Sequence, residues 1–575
     1  MIKLIRFLKP FRILAAAVIL LVFVQTLTEL YLPTLMADIV DTGIVRGDTP
    51  YIIRTGGFML LIAAGGTICS IATSFLAAKI AVGLGRLLRS KVFSRVEDFS
   101  LHEFNQMGTA TLITRTTNDI NQIQTVTFMI LRMMLFAPMM GIGGIIMAVN
   151  QDRPLSLVLL VAVPFIAVLI FFIMSKAIPL FKLMQIKLDR LNLVLRENLT
   201  GIRVIRAFDR IKEERERFTD ANLDLTNNAI RVNKLMATMM PGMMLVMNFT
   251  IIAIIWFGSI RIDHGGMQVG SLMAFIQYAI QIMISLIMMS MMFIMLPRAS
   301  ASAIRINEVL DTIPEIKDPG QTKRPGSDKG YLEFKDVSFS FSGAEQPALS
   351  NISFTASPGE MTAIIGGTGS GKTTLINLIP RFYDVSQGAV MIDGVDVREM
   401  SQENLRAKIG LVPQTAVLFS GTIRENIRFG KQDASEDEVY KAAQTAQAIE
   451  FITGMKNGFD SVIEQGGINV SGGQKQRLSI ARALVRRPDI YIFDDSFSAL
   501  DFKTDARLRA ALKKETLQST VLIIAQRVTT VMEADRIIVL EEGQIAGMGS
   551  HKELLDSCEV YREIVYSQLS EEELA

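Results

Sequence analysis

The clearest chemistry in this chain lies in eight consecutive residues, Gly366-Gly367-Thr368-Gly369-Ser370-Gly371-Lys372-Thr373. They fit G-x-x-x-x-G-K-[ST], a loop that cradles phosphate. Its glycines let backbone N–H groups approach the phosphate oxygens, and the following helix offers them its positive N-terminal end. In this pattern Lys372 reaches the β- and γ-phosphates and the Thr373 hydroxyl ligates Mg²⁺. A second chemical group stands far downstream, where Asp494 ends the apolar run Ile490-Tyr491-Ile492-Phe493 and Asp495 follows it. A third run, Ser471-Gly472-Gly473-Gln474, is a weak turn pattern by itself. It continues into Gln476-Arg477-Leu478-Ser479-Ile480-Ala481-Arg482-Ala483-Leu484, an amphipathic helix.

These groups need elements to hold them. Thr362-Ala363-Ile364-Ile365 and Ile490-Tyr491-Ile492-Phe493 read as buried parallel strands. The phosphate loop follows the first of them and precedes Leu375-Ile376-Asn377-Leu378-Ile379, so its context is strand, loop, helix. Tyr331-Leu332-Glu333-Phe334 alternates like a strand. The chain from about 331 onward is therefore an α/β domain.

The rest of the chain is different in kind. At 575 residues it has room for more than one domain. Half of its residues are hydrophobic, and the long apolar runs fall in the first three hundred. A net charge of +2 gives no global bias toward nucleic acid. Cys69 and Cys558 lie far apart and form neither a disulfide framework nor a metal cluster.

A bilayer-spanning helix needs ~20 apolar residues. Six segments qualify, at about 13–36, 57–80, 127–149, 154–175, 241–260 and 268–296. The first is too long for a signal peptide and is read as an uncleaved span. Basic residues set the orientation. Lys3, Arg6, Lys9 and Arg12 precede the first span. Lys79, Arg86, Arg89, Lys91 and Arg95 follow the second, and Lys182, Lys187, Arg190, Arg196, Arg203, Arg206 and Arg210 follow the fourth. Both termini and the two long connections are thus expected in the cytoplasm. Segments 81–126 and 180–235 keep helical apolar spacing, as membrane helices prolonged into the cytoplasm, each pair closed by a short turn. The Pro/Gly/charged stretch Asp318-Pro319-Gly320-Gln321-Thr322-Lys323-Arg324-Pro325-Gly326 marks a boundary. The expected organisation is a membrane domain over 1–310, a linker over 311–330 and a soluble domain over 331–575.

With these motifs in this order, the chain resembles the ATP-binding cassette (ABC) exporters over essentially its whole length. The resemblance implies an α-helical six-span membrane domain of the type I (type IV) exporter fold, followed by an α/β P-loop nucleotide-binding domain. It implies ATP and Mg²⁺ as cofactors. Phe341, in Val337-Ser338-Phe339-Ser340-Phe341, would stack on the adenine. Gly366, Gly367, Thr368, Gly369, Ser370, Gly371, Lys372, Thr373 and Thr374 would hold the phosphates. Gln414, in Val412-Pro413-Gln414, would sense Mg²⁺ and the γ-phosphate, with Thr373 and Asp494 also serving the metal. Leu418-Phe419-Ser420-Gly421-Thr422-Ile423-Arg424-Glu425-Asn426-Ile427 is similar to the exporter branch. Ser471, Gly472, Gly473, Gln474 and Asp501 would serve ATP held by a second, head-to-tail domain. Arg115 and Asp119 resemble the pattern near the first coupling turn and Glu197-Asn198-Leu199-Thr200-Gly201 the second; single residues there read as a solvated, charged helix surface.

Two positions depart from the family. The residue after Asp494 is usually a glutamate that polarises the attacking water, and Asp495 is one methylene shorter. The late strand usually ends in a switch histidine, and this chain has Gln526, which donates a hydrogen bond but carries no charge. A third departure is Gln465-Gly466-Gly467 where exporters often have Glu-Arg-Gly. The family resemblance therefore implies a degenerate site, a heterodimer with a second half-transporter, and hydrolysis mainly at the partner's site. An active homodimeric exporter and an ATP-gated regulator or channel-like protein are the alternatives. The cargo expected is a small amphipathic compound (drug, lipid or peptide), moved out across a bacterial inner or plasma membrane. Met283, Met288, Met289, Met291, Met292 and Met295 crowd the last span, and methionine suits adaptable surfaces. Gln277 and Gln281 share a helical face, as do Gln25 and Glu29, and Glu29 is a candidate for the translocation path.

Overall fold

The computed structural model describes residue 3, residues 6–323 and residues 329–569, without the side chains of 291–294. Arg324, Pro325 and Gly326 of the boundary stretch lie outside the described residues, as do the side chains of Met291 and Met292. The fold divides into two units. One comprises Met1–Glu97 and Gly108–Thr312, the other Asp98–Met107 and Ile313–Ala575.

In the first unit the described residues form six long apolar helices: α1 (Arg6–Ile44), α2 (Thr49–Glu97), α3 (Thr109–Gln151), α4 (Ser156–Thr200), α5 (Ile211–Asp263) and α6 (Val269–Asp311). Each has 39–53 residues. At 1.5 Å per residue all six overrun a hydrocarbon core of ~30 Å. Helix α2 runs 17 residues past the span expected to end at 80 because its buried stripe continues through Ile80, Leu84, Leu88 and Val92. The turns that close these helix pairs are compact. A short helix, Leu101–Met107, lies between α2 and α3, and another, Ile202–Ala207, between α4 and α5. The first of these short helices groups with the second unit. There the buried Glu103 carboxylate accepts from the backbone N–H groups of Ser100 (2.7 Å) and Glu315 (3.0 Å).

Arg115 and Asp119 correct the sequence expectation. They are buried rather than solvated, and they stand on a π-type turn, Arg115–Asp119, in α3 instead of at the tip. Asp119 accepts from Ser302 Oγ (2.8 Å) and from Arg305 Nε (2.8 Å) of α6, and Arg115 pairs with Glu308 of α6 (2.8 Å). The charged run thus ties two helices together. The methionines of α6 also serve different surroundings. Met283 packs with Ala162, Ile166, Met243 and Val246. Met288 and Met295 line a small cavity with Met129 and Met133, and Met289 is exposed.

The N-terminus of α6 is capped from another helix. Asp41 of α1 accepts from the backbone N–H groups of Gly270 (2.6 Å) and Ser271 (3.1 Å). A Cβ on Gly270 would come within 2.4 Å of the Ala37 carbonyl oxygen, so this approach requires glycine.

In the second unit, strands β1 (Leu332–Phe339), β2 (Leu349–Ala356), β4 (Gln387–Ile392) and β5 (Val395–Asp396) form an antiparallel sheet in the order β2-β1-β4-β5. The central sheet uses β3 (Met361–Gly366), β6 (Ile409–Val412), β9 (Ile490–Asp494), β10 (Thr520–Ile524), β11 (Arg536–Glu541) and β12 (Gln544–Gly549). Its order is β12-β11-β3-β10-β9-β6. All its pairs are parallel except β11–β12. A small ribbon, β7 (Gly421–Thr422) with β8 (Val462–Ile463), completes the strands. Every residue of β9 and β10 is buried. That is why they read as unbroken apolar runs instead of alternating ones.

Candidate nucleotide site

Strand β10 lies between β3 and β9, so the C-terminal ends of three neighbouring parallel strands meet. Ligands bind outside such carboxyl ends in open α/β sheets. The phosphate loop leaves β3, Asp494 ends β9, and Gln526 follows β10. The register aligns them, since Ile524 of β10 pairs with Ile364 on one side and Asp494 on the other.

The loop turns into α7 (Lys372–Leu378) through Gly371, whose φ of 96° is left-handed. A Cβ there would be strained and would meet the Ala348 carbonyl oxygen at 2.9 Å. The result is a cavity of ≈ 610 Å³. It is lined by Phe341, Gly366, Gly367, Thr368, Gly369, Gly371, Lys372, Thr373, Thr374, Gln414, Asp494, Asp495 and Gln526. Ser370 is the predicted loop residue that does not line it. Its side chain is buried and its hydroxyl lies 3.4 Å from Lys372 Nζ.

Lys372 turns its ammonium onto its own loop, donating to the carbonyl oxygens of Gly366 (2.8 Å) and Gly367 (2.7 Å). Burial lowers its pKa, and Asp494 and Asp495 partly oppose that. Burial also pushes the Asp494 carboxyl above the ordinary carboxylate range, with the Thr373 hydroxyl pulling the other way. Thr373 Oγ1 stands 3.3 and 3.5 Å from the two Asp494 oxygens. A hydroxyl and a carboxylate converging on one point make a hard-oxygen set suited to Mg²⁺.

Asp495 adopts φ +46°, a left-handed conformation uncommon outside glycine. Its backbone N–H donates to Ile524 O (2.9 Å), and its carboxylate accepts from Gln414 Nε2 at 3.5 Å. Phe341 is exposed at the cavity rim and meets Tyr383 edge-on, with centroids 5.6 Å apart.

The Ser471 run lies outside this cavity. Ser471 caps α8 (Gly472–Arg486) through a reciprocal pair: its hydroxyl accepts from Gln474 N–H, and the Gln474 side chain accepts from Ser471 N–H. Ser471 and Gly472 are exposed. Gly473 packs close to the Ala499 carbonyl oxygen. Asp501, also exposed, caps α9 (Phe502–Glu515) by accepting from Thr504 N–H (2.9 Å).

Sequence reasoning missed one wall of the cavity. Ile564, Ser567 and Gln568 of α10 (Glu559–Gln568) line it with Ala348 and Ile524. Gln568 Nε2 donates to Gln526 O (2.8 Å), and Val528 N–H donates to Gln568 Oε1 (2.9 Å). The spacing of Ile564, Ser567 and Gln568 marks one helical face, but nothing in the sequence says what that face covers.

Comparison with known proteins agrees with this geometry. The ABC transporter transmembrane region matches residues 15–294 and the ABC transporter domain matches residues 349–498. An uncharacterized ABC transporter ATP-binding protein of Mycobacterium tuberculosis is 44% identical over 97% of each chain. An ATP-dependent lipid A-core flippase of Chromobacterium violaceum is 30% identical over 95% of this chain and 94% of its own. The structure of a bacterial Atm1-family ABC exporter with ATP bound superposes with a TM-score of 0.81 at 26% identity, covering 97% of this chain and 99% of that one. The chain belongs to the ABC transporter family, as a multi-pass exporter whose nucleotide-binding domain couples ATP hydrolysis to translocation.

Proposed function

We propose that this chain is the degenerate half of a heterodimeric exporter. It holds ATP with Mg²⁺ at its own poorly hydrolytic site, and its Ser471–Gln474 run completes the hydrolytic site of a second half-transporter. The single observation that carries this is the contrast between the two sets of residues. Asp495 and Gln526 line the cavity at the positions to which the family resemblance gives water activation and γ-phosphate sensing, and neither is the residue that chemistry prefers. The signature run, by contrast, is fully capped, exposed at Ser471 and Gly472, and outside the chain's own cavity.

In this reading Phe341 stacks on the base, the loop from Gly366 to Thr374 holds the phosphates, and Thr373, Gln414 and Asp494 hold Mg²⁺. Lys372 leaves the Gly366 and Gly367 carbonyls for the phosphate oxygens. Asp495 is too short to place water at the γ-phosphate, and a displacement of ~1 Å can cost ~10²-fold in rate. Gln526 retains a hydrogen bond to that phosphate without charge. Basic residues beside the spans support cytoplasmic termini in a cell membrane. The flippase relative supports an amphipathic cargo.

The test is a comparison within one purified complex. Ser471→Ala should lower ATP turnover by ~10²-fold, as for loss of a transition-state contact. Asp495→Asn should leave turnover within about a factor of two of wild type. A larger loss from Asp495→Asn than from Ser471→Ala overturns the proposal.

A further inference from the structure

A file of exposed cations stands where the first span begins. The first residues of α1, Arg6–Phe11, form a 3₁₀ helix with Pro10 inside it. Such a helix has three residues per turn, so side chains at i and i+3 eclipse. Arg6, Lys9 and Arg12 therefore fall in one row, with steps of about 6 Å. All three are exposed. Lys3, ahead of them, is matched by Asp311 of α6 (2.7 Å), whose charge also reaches Arg6. Lys9 and Arg12 have no acidic partner among the described residues.

Helix α2 brings a second set. The Phe11 ring lies against Gly83, where a Cβ would come within 2.7 Å of it. Leu8, Phe11 and Leu14 share an apolar cluster with Ala77 and Ile80 of α2, so this end of α1 is held to α2. Lys79 and Arg86 stand four residues before Gly83 and three after it, which puts them on its face. Both are exposed, and neither has an acidic partner among the described residues. The Phe11 contact thus gathers five cations. Like charges gathered this way repel unless an anion lies among them.

The neighbouring apolar surface tells which anion. Ile13, beside Arg12, is 77% exposed. Phe75 and Val82, on the α2 face that carries Lys79 and Arg86, are 66% and 52% exposed. The apolar stretches of the two spans, about 13–36 and 57–80, begin and end at these cations. A phosphate carried on acyl chains meets both the charges and the apolar residues. A soluble anion leaves the apolar residues uncovered. Basic clusters at the edge of a span attract anionic lipid in the same way.

We infer that Arg6, Lys9, Arg12, Lys79 and Arg86 form a docking site for the phosphate headgroup of an anionic phospholipid, assembled by the Phe11–Gly83 contact. The site belongs to the membrane domain alone and does not depend on how the ATP sites divide their work.

Equilibrium binding to the full-length protein in detergent tests it, with phosphatidylglycerol and phosphatidylcholine of equal chain length and inorganic phosphate as probes. Phosphatidylglycerol should bind at least ~10-fold more tightly than phosphatidylcholine, and the preference should fade as salt rises to about 1 M. Lys9→Gln with Arg12→Gln should weaken phosphatidylglycerol by about fivefold per charge removed. Arg203→Gln with Arg206→Gln removes the same charge from the short helix between α4 and α5, and should leave binding unchanged. Phe11→Ala removes no charge, yet should weaken phosphatidylglycerol about as much as loss of one cation does. Thermal unfolding in the same detergent shows that each variant is folded. If the two lipids bind alike, or if the Arg203 and Arg206 changes weaken phosphatidylglycerol as much as the Lys9 and Arg12 changes, the inference fails. Full affinity in a folded Phe11→Ala variant overturns the assembled site. Inorganic phosphate that displaces phosphatidylglycerol at equal concentration overturns the lipid as its occupant.

Discussion

Asp494 is held where a bare carboxylate is uncomfortable. It is buried at the end of β9 with one hydroxyl near it, and its pKa is raised above the usual carboxylate value chiefly by that burial. The folded chain therefore holds this proton more tightly than the unfolded chain does. Its contribution to stability is full below the unfolded-state pKa and is lost as pH rises through the folded-state pKa. At neutral pH the charge strains the nucleotide-free fold. Asp494→Asn should raise nucleotide-free stability by roughly 0.5–2 kcal/mol, in the range of substitutions that relax a strained site. The same change should abolish the extra stability given by Mg-ATP. Thermal unfolding with and without Mg-ATP reads both, and a variant no more stable than wild type counts against this account. At this scale the sequence was highly legible. The phosphate loop is contiguous, so its chemistry fixes its spacing, and Asp494 announces itself at the end of an apolar strand. A motif gives identity but not side-chain direction, as Ser370 illustrates. Its side chain turns inward, and Gly366 packs against it.

At the scale of elements, α10 is the piece the sequence concealed. Gln568 satisfies the carbonyl of Gln526 and the N–H of Val528 with one amide, so α10 fixes the backbone of the segment that follows β10. Each such bond contributes ~1 kcal/mol net, so Gln568→Ala should speed release of a non-hydrolysable ATP analogue from this chain's site by about fivefold to tenfold. Gln568→Glu keeps the acceptor and loses the donor, and should fall between the two. Stopped-flow release of a fluorescent analogue distinguishes them; identical rates in all three would show that α10 only packs. The Arg115–Asp119 run failed in the sequence for a related reason. A charged run reads as a solvated helix surface, whereas its partners Ser302, Arg305 and Glu308 lie nearly two hundred residues away. Periodicity reports a face without naming what covers it. The long helices were better forecast, because apolar length alone dictates a span and continued apolar spacing dictates its extension.

For the whole molecule, the roles proposed for Asp495 and Gln526 imply dependence on another chain. Expressed alone, this chain should bind ATP yet turn it over at least ~10²-fold more slowly than the two-chain assembly, the usual scale for loss of a catalytic acid–base contact. Mass measurement of the detergent complex shows which assembly is being assayed. A chain that alone forms a dimer and hydrolyses ATP at the assembly's rate would be a homodimeric exporter. One sequence does not display the proposed division directly, because in that assembly half of each composite site is written in another reading frame.

The Asp41 cap on α6 carries a consequence for biogenesis. Gln268, the residue before α6, makes no side-chain cap of its own, and the bonds come from a residue 229 positions earlier. The last of the six spans to leave the ribosome is thus finished by the first. Until α6 docks against α1, its leading N–H groups have no protein acceptor, which selects against release of a chain whose final span has been inserted but not packed.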